Sequence, residues 1–167
     1  MRYIELRYGL IMAAGFILYF IVLLLLDLSR FYHYRIFNAF IQLACIIMVM
    51  LAYKNLRPNE IERFTVVSMG VITSIVGVST FALFQFLFLA ISPDFMAELK
   101  QVVPSISQDL ESNHSIPHKA TDSGIELLHK LANYLTPFAF AFIVLIEGLI
   151  AGLVLSYLVM RVLLVRK

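Results

Sequence analysis

Long uncharged apolar runs, separated by short charged segments, set the architecture of this chain. Tyr8 to Leu26 carries no Asp, Glu, Lys or Arg, nor does Ile36 to Tyr53, nor Phe64 to Pro93, and Leu131 to Met160 carries Glu147 alone. Each run reaches the roughly 18 apolar residues that a helix needs to cross the hydrocarbon core of a bilayer. The pattern predicts an all-α polytopic membrane protein: one domain, residues 1–167, with transmembrane helices at 9–28, 36–53, 65–91 and 137–160. Residues 92–134 between helices 3 and 4 are the one segment of soluble character.

That segment opens with Ser92-Pro93-Asp94, an N-cap, a proline at the first helical position and an acid in the first turn. A short helix is expected to about Val103, with Phe95, Met96, Leu99, Val102 and Val103 on one face and Pro104 as its stop. Ser105 to Lys119 has no period and reads as a link. A second amphipathic helix follows, capped by Thr121 or Ser123, with Ile125, Leu128, Ala132 and Leu135 on one face, and feeds into helix 4 near Pro137.

Composition agrees with the pattern: 61% of residues are hydrophobic, 14% are charged, and the mean hydropathy is +0.89. A soluble domain is typically about 25% charged. The first run is preceded by Arg2 and Arg7, as a secretion signal would be. Its apolar part is too long for one, and Asp27-Leu28-Ser29-Arg30 offers no small-residue cleavage site, so it is expected to stay as an anchor. The lone cysteine, Cys45, lies within helix 2 and excludes an internal disulfide.

Charge distribution gives an orientation. Eight of the 13 Lys and Arg residues flank the N-terminus, the 54–63 loop and the C-terminus. The other loops hold Arg30, Arg35, Lys100, Lys119 and Lys130, and the long one adds six acids. The positive-inside rule then predicts cytoplasmic termini and an external 92–134 segment. All four histidines, His33, His114, His118 and His129, fall on that outer side. Pro117 separates His114 from His118, and no cysteine or His-Glu motif accompanies them, so solvated loop histidines are expected and no metal site. Asn113-His114-Ser115 matches a glycosylation acceptor by pattern alone.

Within the membrane, small residues mark where helices meet. Gly70, Thr73, Ser74, Gly77 and Thr80 form a stripe along helix 3 that lets another backbone approach closely, which makes that helix the expected packing hub. Gly148 and Gly152 form a GxxxG pair on helix 4, suited to helix 3 or to a second copy of the chain. Helix 2 adds Asn38, Gln42 and Cys45, and helix 3 adds Gln85.

Glu147 is the sharpest chemical feature. A carboxyl group in hydrocarbon is costly and calls for a reason. It lies about 15 Å inward from Pro137, near the midplane of a core roughly 30 Å thick. Tyr19, Cys45 and the Gly77 to Thr80 turn share its level, and Tyr19 and Thr80 carry hydroxyls that could bond to it. In one reading Glu147 is a neutral acid that hydrogen-bonds across the bundle; in the other it lines a polar pathway with Gln42, Gln85, Asn38 and Tyr19 and handles a proton or cation.

The opening Glu5-Leu6-Arg7-Tyr8-Gly9-Leu10-Ile11, Tyr53-Lys54 at the close of helix 2, Ser92-Pro93-Asp94-Phe95 after a Phe-rich helix 3, and Glu147-Gly148-Leu149-Ile150-Ala151-Gly152-Leu153 with its basic tail carry a resemblance. Over nearly its whole length the chain resembles a family of small four-helix bacterial membrane proteins classed as a domain of unknown function. It departs from that pattern at Arg57-Pro58-Asn59-Glu60, where a Gly-rich lead into helix 3 is usual, and in an outer helix shortened at Pro104. The resemblance implies this topology in a bacterial inner membrane and supplies no chemistry.

No Walker loop, dinucleotide fingerprint, Ser-His-Asp or Cys-His set or metal quartet occurs in the sequence, so no enzyme, no cofactor and no nucleic-acid partner is expected. The expected function is that of a non-enzymatic scaffold or accessory subunit, in contact with the lipid bilayer and with itself or a larger membrane complex. The alternative is a small proton- or cation-translocating protein centred on Glu147.

Overall fold

The structure is a computed structural model and describes residues 3–26, 36–56, 63–97 and 136–165. Four long helices carry the fold: α1 (Ile4–Leu25), α2 (Ile36–Leu56), α3 (Arg63–Ile91) and α4 (Pro137–Val165). Among the described residues all regular structure is helical, and each of the four helices is long and apolar enough to cross a membrane.

The helices outrun the apolar stretches that predict them. α1 starts at Ile4 rather than at residue 9, α2 continues to Leu56, α3 begins at Arg63, and α4 reaches Val165. Backbone hydrogen bonds, not side-chain polarity, propagate a helix, so the helices continue past their uncharged runs, with Lys54 of α2 and Arg161 of α4 exposed. Glu5 lies in the first turn of α1, where an acid complements the positive end of the helix. Residues 27 and 28, expected to close helix 1, lie outside the described residues.

The chain divides into two compact units, residues 1–84 with 142–167, and residues 85–141. In the first unit, α1 and α2 run antiparallel: Gly15 meets Ile41, and the Tyr19 and Phe37 rings lie 6.1 Å apart. α1 and α3 run parallel, with Met12 against Gly77, Phe16 5.2 Å from Phe81 and Phe20 6.0 Å from Phe84. α3 and α4 run antiparallel, pairing Gly70 with Ser156, Ser74 with Gly152 and Val78 with Gly148. α3 therefore has neighbours on two sides, and its span is the most covered of the four, 39% buried against 11% for α4. Met12, Phe16, Ile46, Val49, Met50, Val78 and Phe81 fill the centre of this unit.

In the second unit, the Ser92 N–H donates to the Phe88 carbonyl at 3.0 Å and the Ser92 carbonyl accepts from the Met96 N–H at 3.3 Å. Residues 93–97 are helical, and Pro93 stands at the first position, where a missing N–H costs nothing. Phe88 and Phe95 meet edge-on at 5.6 Å. Thr136 caps α4: its hydroxyl accepts from the Ala139 N–H at 3.1 Å and its carbonyl from the Phe140 N–H at 3.0 Å, with Pro137 next. The rest of the expected outer helices, with Val103, Pro104, Thr121, Ser123, Ile125, Leu128, Ala132 and Leu135, lies outside the described residues, as do Asn113 and all four histidines.

Candidate functional site

Residues four apart on a helix stack along one face. On α4 that places Gly148, Gly152 and Ser156 in one row, and on α3 it places Gly70, Ser74 and Val78 in another. The two rows face each other in opposite order. An added Cβ on Gly152 would fall 2.5 Å from Ser74 Cβ and 2.7 Å from Gln42 Nε2, and one on Gly70 would fall 2.5 Å from Ser156 Oγ. Neither glycine leaves room for even a methyl group.

Gln42 of α2 reaches into this junction. Buried to 3% exposure, it donates from Nε2 to the Gly148 carbonyl at 2.9 Å, and so ties α2 to α4 beside the α3 seam. Such a bond between membrane helices contributes about 1 kcal/mol. Ser74 beside it and Ser156 one turn away are fully buried, as is Thr73 elsewhere on α3, and their hydroxyl oxygens have no hydrogen-bond partner; Oδ1 of the half-buried Asn38 has none either. Serine and threonine are tolerated here for their size: they let the backbones close up, at the cost of a desolvated hydroxyl.

A second close approach joins α1 to α3. An added Cβ on Gly77 would meet Met12 Sδ at 2.6 Å and the Gly9 carbonyl at 3.0 Å, and one on Gly9 would meet Val76 at 2.7 Å. α3 thus presents small residues on two sides, Gly70 and Ser74 toward α4, and Thr73 and Gly77 toward α1.

Of the residues singled out from the sequence, Gln42, Ser74, Gly148 and Gly152 converge, with Gly70 one turn away against Ser156, and Gly77 lies in the α1 seam. The Thr80 hydroxyl donates to the Val76 carbonyl of its own helix at 2.8 Å, so its proton serves α3 rather than a neighbouring chain segment. Tyr19 is half-buried beside Phe37. Gln85 belongs to the second unit; it is buried, and its Oε1 has no hydrogen-bond partner. Glu147 is exposed on α4, turned away from the row that Gly148 and Gly152 present to α3.

Sequence reasoning missed Ser156 and Gly9. Ser156 continues the four-residue step from Gly148 and Gly152, and that extension was the available signal. Gly9 had no such mark, because its counterpart, Val76, is large.

Among the described residues no group of three or more His, Cys, Asp or Glu side chains is placed to hold a metal ion. The arrangement sets the spacing of three helices, with a polar tie from Gln42 at their junction. A family model for proteins of unknown function, DUF4199, matches residues 7–163. No curated protein and no solved structure matches the chain. With the match running from the second turn of α1 almost to the end of α4, the chain belongs to the DUF4199 family of proteins of unknown function.

Proposed function

We propose that this protein is a non-enzymatic scaffold or accessory subunit of a bacterial inner-membrane complex, with both termini in the cytoplasm and the 92–134 segment outside. The observation that carries this reading is the seam at which Gln42, Ser74, Gly148 and Gly152 converge and hold α2, α3 and α4 at close spacing. Such a seam makes the α3 and α4 pair a rigid platform against which another membrane protein can pack.

Gentle solubilisation of native membranes tests this. The protein should migrate as an assembly larger than its 19.0 kDa chain. Recovery of a detergent-bound monomer alone would overturn the proposal.

The buried oxygens of Asn38, Thr73, Ser74 and Ser156 favour a second reading, a proton or cation carrier, since oxygen atoms without partners can solvate a cation. Its weakness is that Glu147 is on the opposite side of α4 from Ser156. Ion flux in proteoliposomes that is abolished by Glu147→Gln would favour the carrier; no flux above empty vesicles would remove it.

A further inference from the structure

Charge is unevenly placed in the first unit. At one end α1 begins and α2 and α4 stop, and Arg7, Lys54 and Arg161 sit there, one on each of those helices and all exposed. Arg63 opens α3 at the same end, where half-buried Glu5 is the one acid among the described residues. The described part of the second unit holds no Lys or Arg, and its single charge is Asp94.

Contacts between the helices set the levels of these cations. Lys54 comes four residues after Met50 and Arg161 five after Ser156, and both Met50 and Ser156 pack against Gly70. Arg7 comes two residues before Gly9, which packs against Thr73 and Val76. At 1.5 Å per residue the three backbone positions fall within roughly 12 Å along the bundle axis. Side-chain direction narrows that interval. A helical Cα–Cβ bond tilts toward its own N-terminus, so Arg7 leans toward the end of the bundle while Lys54 and Arg161 lean back toward its centre. The Arg161 guanidinium accordingly lies over the Tyr157 ring one turn back, 5.6 Å from the centroid. Each of the three closes the uncharged run of its helix, which puts the cations at the edge of the hydrocarbon, where a bilayer holds its phosphates. Tyr3 is one turn from Arg7 and Tyr157 one turn from Arg161, both exposed.

We propose that this end of the bundle is a binding site for anionic phospholipids, whose phosphodiester headgroups seat against Arg7, Lys54 and Arg161. Charge complementarity selects the class of ligand, and the spread of the cations selects lipid within it. At about 100° per residue Arg7 stands about 160° from Gly9 round α1, and Arg161 about 140° from Ser156 round α4, so both turn away from the α3 seams. Cations spread round a perimeter match an annulus of separate headgroups; an acidic polypeptide would have to encircle the bundle to meet them. The planar fork of arginine takes two phosphate oxygens at once, and a tyrosine hydroxyl supplies a further donor. The site is independent of the accessory-subunit reading, because lipid surrounds the bundle whatever protein it joins.

Spin-labelled lipids test the proposal. The purified full chain is reconstituted in phosphatidylcholine vesicles with a trace of spin-labelled phosphatidylglycerol or spin-labelled phosphatidylcholine, and electron paramagnetic resonance reads the fraction of each label that the protein immobilises. The parent should hold the anionic label roughly three- to fivefold over the zwitterionic one, and added salt should shrink that excess by screening exposed charges. Arg7→Gln, Lys54→Gln and Arg161→Gln together should bring the ratio to about one while the thermal midpoint stays near that of the parent. Equal hold on both labels by the parent, a preference indifferent to salt, or a preference that survives the triple substitution would each overturn the site. Inorganic phosphate should compete no better than chloride at equal ionic strength; selective displacement by phosphate would make the ligand a soluble anion and overturn the lipid. An acidic protein retained by the parent and lost from the triple variant, with no label preference, would give the cations to a protein partner instead.

Discussion

The Gln42 side chain of α2 donates to the main-chain carbonyl of Gly148 on α4, 2.9 Å away, across a space that neither glycine nor serine fills. Gly148 sits inside a helix, so its carbonyl also serves the ladder of α4 and is not orphaned when Gln42 is lost. Gln42→Leu should therefore destabilise the bundle by only about 1 kcal/mol, measured by unfolding in mixed micelles. Gln42→Glu should cost more, since a carboxylate offers that carbonyl no donor. A Gln42→Leu variant as stable as the parent would show that the bond contributes nothing net.

Gly152→Ala should be severe for so small a change. Its methyl group would overlap Ser74 Cβ and Oγ at 2.5 and 2.6 Å, and separation of α3 from α4 is the way to relieve it. Overpacking of this kind costs about 1–3 kcal/mol. Ser74→Gly in the same chain removes both overlapping atoms, so the double variant should be more stable than Gly152→Ala alone. Additive losses in the double-mutant cycle would contradict the pairing of these two residues.

Two glycines should differ in tolerance for a reason visible in what each one touches. Gly77 faces a carbonyl oxygen of α1 at 3.0 Å as well as Met12, and backbone cannot swing aside. Gly15 meets only Ile41 Cγ2 at 3.0 Å, the end of a side chain that can shift. Gly77→Ala should lower the thermal midpoint in detergent, and Gly15→Ala should leave it nearly unchanged or raise it through better helix propensity.

Ser156 offers the opposite test. Its hydroxyl is buried without a hydrogen-bond partner, so removing it discards a desolvated group and little packing. Ser156→Ala should be neutral or slightly stabilising in the same unfolding assay, and it widens the space above Gly70. A loss of about 1 kcal/mol or more would mean that the hydroxyl is hydrogen-bonded in the membrane.

Much of this was legible in the sequence, and the exceptions share one cause. The four spans follow from where charges stop, and the seam follows from the four-residue steps of Gly70 with Ser74 and of Gly148 with Gly152. Depth was also legible, because rise per residue is constant. Azimuth was not. Thr80 is level with Glu147 by that reckoning, yet its hydroxyl bonds within α3. A helix that is apolar all round gives no period from which to read which side faces its neighbours, so the outward setting of Glu147 could come only from seeing where Gly148 and Gly152 point. The Thr136 cap was legible in principle, since Thr-Pro is a helix-start signature.

The placement of small residues on two sides of α3 also imposes an order on assembly. Chains are made from the N-terminus, so α1 and α3 can close around Gly9 and Gly77 while the last helix is still unmade. During that interval the opposite side of α3 and the Gln42 amide face lipid. Arrival of α4 covers them in one step, and a chain interrupted before residue 137 would keep that side of α3 and the Gln42 amide uncovered.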